Sequence, residues 1–167
     1  QAITELVLME MLEAGYAGVV EFHYLHHDIG GKPYASLAEM SDRIVAAALR
    51  TGIGLTLLPV LYQYGGCDHR PLTGGQQRFG NDIEQFQRLH AAAAKTVASA
   101  HPDYLLGAAP HSLRAVDQLG LNAAISAAGN GPVHMHLAEQ VAEVEEVQAN
   151  LGARPTEWLL GNHDVNR

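Results

Sequence analysis

The sequence predicts an α/β chain of about four βα units with parallel strands. Segments of helical periodicity alternate strictly with short runs of β-branched and aromatic residues along the 167 positions. The run from Gly54 to Leu61 is almost continuously apolar, as in a strand covered on both faces of a parallel sheet. No strand runs into a G-x-G-x-x-G turn, which argues against a dinucleotide-binding sheet. Such alternation belongs either to an open doubly wound sheet or to part of an eight-stranded barrel, and the pattern alone leaves both open.

The elements follow in order. Residues 2–14 carry Ile3, Leu6, Val7, Leu8, Met11 and Leu12, apolar on most sides, which predicts a largely buried helix ending at Gly15. Residues 17–24 read as the first strand. Ser36 and Glu39 have capping-box spacing for a second helix, with Leu37, Met40, Ile44, Ala47 and Ala48 as its stripe and Gly52 as its end. Residues 54–61 form the second strand, followed by a long polar loop over 62–80. Asn81 with Glu84 opens a third helix, whose stripe is Ile83, Phe86, His90, Ala93, Ala94 and Val97. The third strand covers 104–109 and a connection covers 110–116. Asp117 caps a helix carrying Leu121, Ala124, Ile125 and Ala128 on one face. Residues 132–138 form the fourth strand. A closing helix turns Val141, Val144, Val147 and Leu151 inward and Glu143, Glu145 and Glu146 outward, with Gly152 as its cap. A short helix over 155–160 follows.

Composition narrows the classes. With 47% hydrophobic and 17% charged residues the chain is an ordinary globular one. A formal net charge of -8 argues against nucleic acid or an anionic membrane as partner through a broad basic surface. A small anionic substrate stays open, because one local Arg can hold a carboxylate. The single cysteine, Cys67, rules out an internal disulfide and suits a cytoplasmic location. No apolar run has the length of a membrane span, and no signal-peptide pattern opens the chain. Both ends read as cut, so residues 1–167 are expected to be a single partial domain of a longer chain.

Three constellations can carry chemistry. In Val133-His-Met-His-Leu-Ala-Glu-Gln140, alternation puts His134 and His136 on one strand face, with Glu139 where the strand gives way to a loop. An imidazole ligand beside a carboxylate suits metal-assisted hydrolysis. The plain structural reading is two hydrogen-bonded core histidines and an acid near a helix N-terminus. In Ala109-Pro-His-Ser-Leu-Arg114, His111 and Arg114 lie in a βα connection, where Arg can grip a carboxylate; a capping His and a surface Arg are the alternative. In Glu21-Phe-His-Tyr-Leu-His-His-Asp28, neighbouring side chains rarely converge on one ion, so a loop role is expected for His26, His27 and Asp28. Tyr24, at the strand end, is the better candidate for touching substrate.

The Ala-Pro-His at 109–111 and the His-x-x-Glu at 136–139 resemble the amidohydrolase superfamily in its deaminase and chlorohydrolase branch. The longer strings at 21–28, 111–116 and 133–140, with Arg154-Pro-Thr-Glu-Trp-Leu159, resemble the formimidoylglutamate deiminase family in order and span nearly the whole chain. The resemblance implies part of a TIM-like (β/α)8 barrel, its strands two to five. It implies hydrolysis of the C=N bond of N-formimino-L-glutamate to N-formyl-L-glutamate and ammonia, a step of histidine breakdown, with one divalent metal, usually zinc. It makes His136 a metal ligand and Glu139 the proton shuttle. Tyr24, His111 and Arg114 become substrate contacts, and His134 a supporting residue. The family's His-x-His pair on its first strand, its His on the sixth and its Asp on the eighth have no counterpart here, so the isolated chain is expected to be inactive. A homo-oligomer is compatible with the full-length enzyme. Other readings are a related deaminase or chlorohydrolase acting on a heterocycle, for which Arg114 has no obvious use, and a non-catalytic βα domain.

Overall fold

The computed structural model describes residues 1–165; the last two positions of the expected 1–167 domain lie outside the described residues. β1 (Gly18–His23) and β2 (Gly54–Leu61) pair in parallel from Gly18 opposite Gly54 to His23 opposite Pro59. The other edge of β2 carries β3 (Leu105–Leu106) and β4 (Ala109–Pro110), also parallel. Every residue of β2 from Leu57 to Leu61 is buried, as its unbroken apolarity predicts.

The third strand, expected as one piece, is divided, and Pro59 is the reason. β3 and β4 keep one register on β2, with Leu106 opposite Leu57 and Ala109 opposite Val60. Gly107 N–H donates to the Leu57 carbonyl at 3.0 Å. The next ladder bond needs an N–H from position 59, which proline lacks. His90 Nε2 lies 2.9 Å from the orphaned Gly107 carbonyl and takes the place of that donor.

The fourth strand does not form as a regular ladder. Its chain runs beside β3 and β4: Ala108 N–H meets the Pro132 carbonyl and His134 N–H meets the Ala108 carbonyl, both at 3.1 Å. The following bond would come from Pro110, which has no N–H. The register then slips by one, and His136 N–H bonds the His111 carbonyl at 2.8 Å. The approach needs Gly107, where a Cβ would collide with the Pro132 carbonyl.

The helices pack on one side of the sheet. α1 (Ala2–Glu13) is mostly exposed, contrary to its expected burial. It touches the core through Leu8, Met11 and Leu12, and no described element covers Ile3, Leu6, Val7 or Met9. α2 (Glu39–Thr51) starts without a side-chain cap and ends at Gly52, whose φ of 82° only glycine adopts cheaply. Its buried face is Ser41, Val45, Ala47 and Ala48, while Leu37 stays outside. α3 (Ile83–Ala100) is opened by Asp82 and Gln85, one residue beyond the expected Asn81 and Glu84. Its buried face adds Leu89 to Phe86, His90, Ala93 and Val97. α4 (Gln118–Ala128) is capped by Asp117 as expected, although Ile125 faces out. α5 (Val141–Leu151) ends at Gly152, and α6 (Pro155–Asn162) starts on its proline. In α5 the expected faces are corrected at two places: Val141 is exposed and Glu143 is buried.

Two apolar clusters fill the helix side. One joins α1, α2 and α3 to Leu55 and Leu57. The other joins α4 and Val147 of α5 to Leu61 and Phe86. The opposite face of β2, Leu58 and Val60, packs with Ala109, Phe22, Tyr24 and Tyr62 beneath the strand ends.

Candidate active site

Alternation along the strands decides which side chains meet here. Phe22 and Tyr24 share a face of β1 and its extension, and Leu58, Val60 and Tyr62 share the matching face of β2. His111 follows β4 and continues its ladder through a 3.0 Å bond from its N–H to the Leu61 carbonyl. His136 is then held beside His111 by the backbone bond between them. Three chain segments therefore deliver Tyr24, His111 and His136 to one point at the C-terminal end of the sheet, where barrel sites are built.

The rings are close. Tyr24 Oη lies 2.7 Å from His136 Nε2. Phe22 stacks on His136 with centroids 4.6 Å apart and planes 8° from parallel. His111 meets His136 edge-on at 5.0 Å and Tyr62 at 4.4 Å. His111 Nδ1 lies 2.8 Å from Ser112 Oγ, leaving Nε2 without a partner among the described residues. Burial, then the charges of His136 and Arg114, push His111 down to about 3, so it is neutral at ordinary pH. Burial lifts the Tyr24 phenol to about 12; the charges of Tyr62 and Glu139 add to the rise, and Arg114 opposes it.

Glu139 follows three residues after His136, past a turn at Ala138 with the left-handed φ of 56°. Its carboxylate is exposed and has no hydrogen bond among the described residues; its backbone N–H donates to Glu143 Oε2 at 2.8 Å. Arg114 sits to one side. With Tyr64, His69, Asp117 and Trp158 it lines a cavity of about 340 Å³ that does not include His136 or Glu139. Its buried Nε has no partner among the described residues. The Arg114 charge thus acts on Tyr24 and His111, although its side chain lines a cavity that none of the three rings enters. His134 is exposed and makes no side-chain bond with the group. Cys67 lines the same cavity as Arg114, but burial and the nearby Glu146 charge push its thiol up to about 11, so it is not a thiolate nucleophile at neutral pH.

The loop role expected for the first histidine cluster fits its placement. His26 Nε2 lies 2.9 Å from the Val60 carbonyl, and His27 Nε2 lies 2.9 Å from both the Gly80 carbonyl and Asn81 Oδ1. Asp28 accepts from the Ile29 N–H. Sequence reasoning missed Phe22, Tyr62, Ser112 and Glu143. The first two lie two positions from Tyr24 and Val60, so the same alternation would have found them.

Among the described residues no group of three or more His, Cys, Asp or Glu side chains is placed to hold a metal ion. The donors among the described residues therefore do not make up a complete metal site.

No family model matches the chain. Over 162 residues it is 48% identical to formimidoylglutamate deiminase of Pseudomonas aeruginosa, a match covering 95% of this chain and 35% of that protein. The solved structure of an amidohydrolase from Brucella melitensis superposes with a TM-score of 0.95 at 50% identity, over 99% of this chain and 37% of that one. An adenosine deaminase from Xanthomonas campestris with bound zinc shares the fold, with a TM-score of 0.67 at 21% identity, over 95% of this chain and 31% of that one. The chain thus spans about a third of the length of the relatives it matches. The resemblance carried by the four motifs holds along nearly the whole chain, and the architecture is part of an amidohydrolase barrel.

Proposed function

We propose that this chain is the central part of a metal-dependent amidohydrolase that hydrolyses N-formimino-L-glutamate to N-formyl-L-glutamate and ammonia. The observation that supports it most is the convergence of Tyr24, His111 and His136 from three segments at the C-terminal end of a parallel sheet. Water adds to the C=N carbon, and ammonia leaves once its nitrogen is protonated. Glu139 carries the proton from the water to that nitrogen. Neutral His111 and Tyr24 hydrogen-bond the formimino group in this reading. Arg114, with an uncommitted Nε, holds a glutamate carboxylate by two parallel hydrogen bonds. In this reading His136 would be one of the residues holding a divalent metal, zinc by preference, together with ligands outside this chain, and the metal would supply an activated water. His134 supports the site from the same segment. The location is cytoplasmic and the intact enzyme is a candidate homo-oligomer.

The test is ammonia release by the intact protein containing this chain, offered N-formimino-L-glutamate or a neutral guanine, adenosine or triazine. Arg114→Leu is expected to lower kcat/KM for formiminoglutamate by at least roughly thirtyfold, because removing one side of a desolvated charge pair costs about 2–5 kcal/mol. Metal content should not change, and Arg114→Lys should recover only part of the loss. Turnover confined to a neutral heterocycle, or an Arg114→Leu variant with wild-type kcat/KM, overturns the anionic-substrate reading.

A further inference from the structure

We infer that Glu143 is a positioning residue that holds the turn presenting the Glu139 carboxylate; the inference rests on the proton-carrying role proposed for Glu139. Glu143 is the third residue of α5 and is 1% exposed. Acids are favoured in a first turn, where they face free backbone N–H groups and the positive end of the helix dipole. An acid at this position ordinarily reaches back to the N–H of the cap residue. Here the cap, Gln140, makes no side-chain bond, and Glu143 reaches past it. Its Oε1 accepts from Ala138 N–H at 3.1 Å and its Oε2 from Glu139 N–H at 2.8 Å. Both oxygens are thus committed to two consecutive peptide groups.

Those groups form the turn that needs holding. Ala138 has a left-handed φ of 56°, a conformation its Cβ disfavours and that only surrounding contacts maintain. Glu139 has no side-chain partner among the described residues, so its backbone is what aims it. On one side the segment is anchored by the bond from His136 N–H to the His111 carbonyl. On the other side the anchor is Glu143. No ion pair accompanies this buried carboxylate among the described residues, so the two charge-assisted bonds from the turn, with the dipole of α5, offset its burial. A helix that needed only a cap would be served by a shorter side chain at residue 140.

The experiment is a double-mutant cycle of Glu143→Gln and Glu139→Gln in the intact, metal-loaded protein. The amide keeps the shape but turns an NH2 toward one of the two N–H donors. Glu143→Gln should lower kcat about 10- to 100-fold, the scale expected for misplacing a reacting group by about 1 Å. KM should stay within about twofold, and metal content should be unchanged. In the Glu139→Gln background the same change should cost nothing further, because the group it aims is already disabled. Exchange of the Ala138 and Glu139 amide protons should speed up while the α5 amides keep their protection. If kcat per folded, metal-loaded site is unchanged, or if the two losses multiply, Glu143 only caps α5 and the inference fails. If Glu139→Gln alone keeps its turnover, it is the proton-carrying reading that fails. Should Glu143→Gln not fold, Glu143→Asp keeps the carboxylate charge but is one methylene shorter, too short to reach both turn N–H groups. It should lower kcat several-fold at constant KM, and an unchanged kcat there also overturns the inference.

Discussion

Five of the ten histidines of this chain fall into two regions with opposite uses. Around β1 and β2, the rings of His26, His27 and His90 each spend a nitrogen on a backbone carbonyl that no strand neighbour reaches. At the sheet's C-terminal end, His111 and His136 face one another and Tyr24, with no backbone carbonyl on either ring among the described residues. His90 and His26 replace ladder bonds that Pro59 and the end of β1 leave unmade, and His27 ties down the loop carbonyl of Gly80. The second group is gathered by the ladder and kept free of it. Residue type does not separate the two; what separates them is whether a carbonyl nearby lacks a donor. A proline inside a buried strand is the warning that one does.

The largest effects should come from the second region. In the intact protein, Glu139→Gln should keep metal content and lower kcat about 10²–10⁴-fold, since the amide matches the carboxylate in shape but accepts no proton. His136→Ala should instead lower metal occupancy, read by metal analysis of the purified protein. Near-normal kcat in Glu139→Gln would make Glu139 an ordinary acid near a helix end and erase the contrast between the regions.

Changes in the first region should reach stability and leave chemistry alone. His26→Phe strands the buried Val60 carbonyl, at a cost of about 1–3 kcal/mol in denaturant unfolding, with kcat of the folded protein unaffected. The same region sets a pH dependence. Burial lowers His23 to about 4 and His26 to about 3, with their mutual repulsion adding to the second. Both are therefore neutral in the fold where the unfolded chain takes up protons. The unfolded state binds more protons in that window, so stability rises with pH there. The contribution is complete above the ordinary histidine value near 6.5. It is lost as pH falls from there toward about 3. His26→Gln keeps an N–H donor without a titrating ring and should flatten the loss between neutral and acid pH. A variant with the wild-type slope would place the acid sensitivity elsewhere.

What the sequence made legible follows the same division. The bounds of β2 could be read because a buried strand is a continuous apolar run, here set behind Gly52 and Gly54. Tyr24 and His111 could be placed at the C-terminal end of the sheet because strand ends fix position, whereas alternation paired His136 with His134, which the structure leaves exposed. The slip at Pro110 could not be read, because it depends on which carbonyl of the neighbouring segment each N–H meets. Glu143 was assigned outward because charge usually faces water. That rule fails when an acid in a first turn finds two free N–H groups in the turn before it. The exposure of α1 was hidden for another reason: apolar composition shows that a helix face needs cover, not which element supplies it.

Helix starts give the smallest and sharpest comparison. The second and third helices have similar start signals in sequence, Ser36 with Glu39 and Asn81 with Glu84, yet neither pair caps. Glu39 N–H bonds the Ser36 carbonyl at 3.2 Å in a backbone turn, and the Glu39 carboxylate is held by Arg43. The Ser36 hydroxyl is therefore not used. Asn81 is drawn into the first histidine region: its Oδ1 lies 2.9 Å from His27 Nε2 and its amide donates to the Phe79 carbonyl. With Asn81 so occupied, the cap passes to Asp82, which accepts from Gln85 N–H at 2.7 Å while Gln85 Oε1 returns to Asp82 N–H at 3.1 Å. Ser36→Ala should accordingly change unfolding free energy by no more than about 0.5 kcal/mol, the ordinary size of a surface substitution. Asp82→Ala should cost about 1 kcal/mol, the usual value of a lost N-cap. Paired denaturation curves with a common m-value separate the two. A Ser36→Ala loss equal to that of Asp82→Ala would mean that the hydroxyl caps α2 in solution.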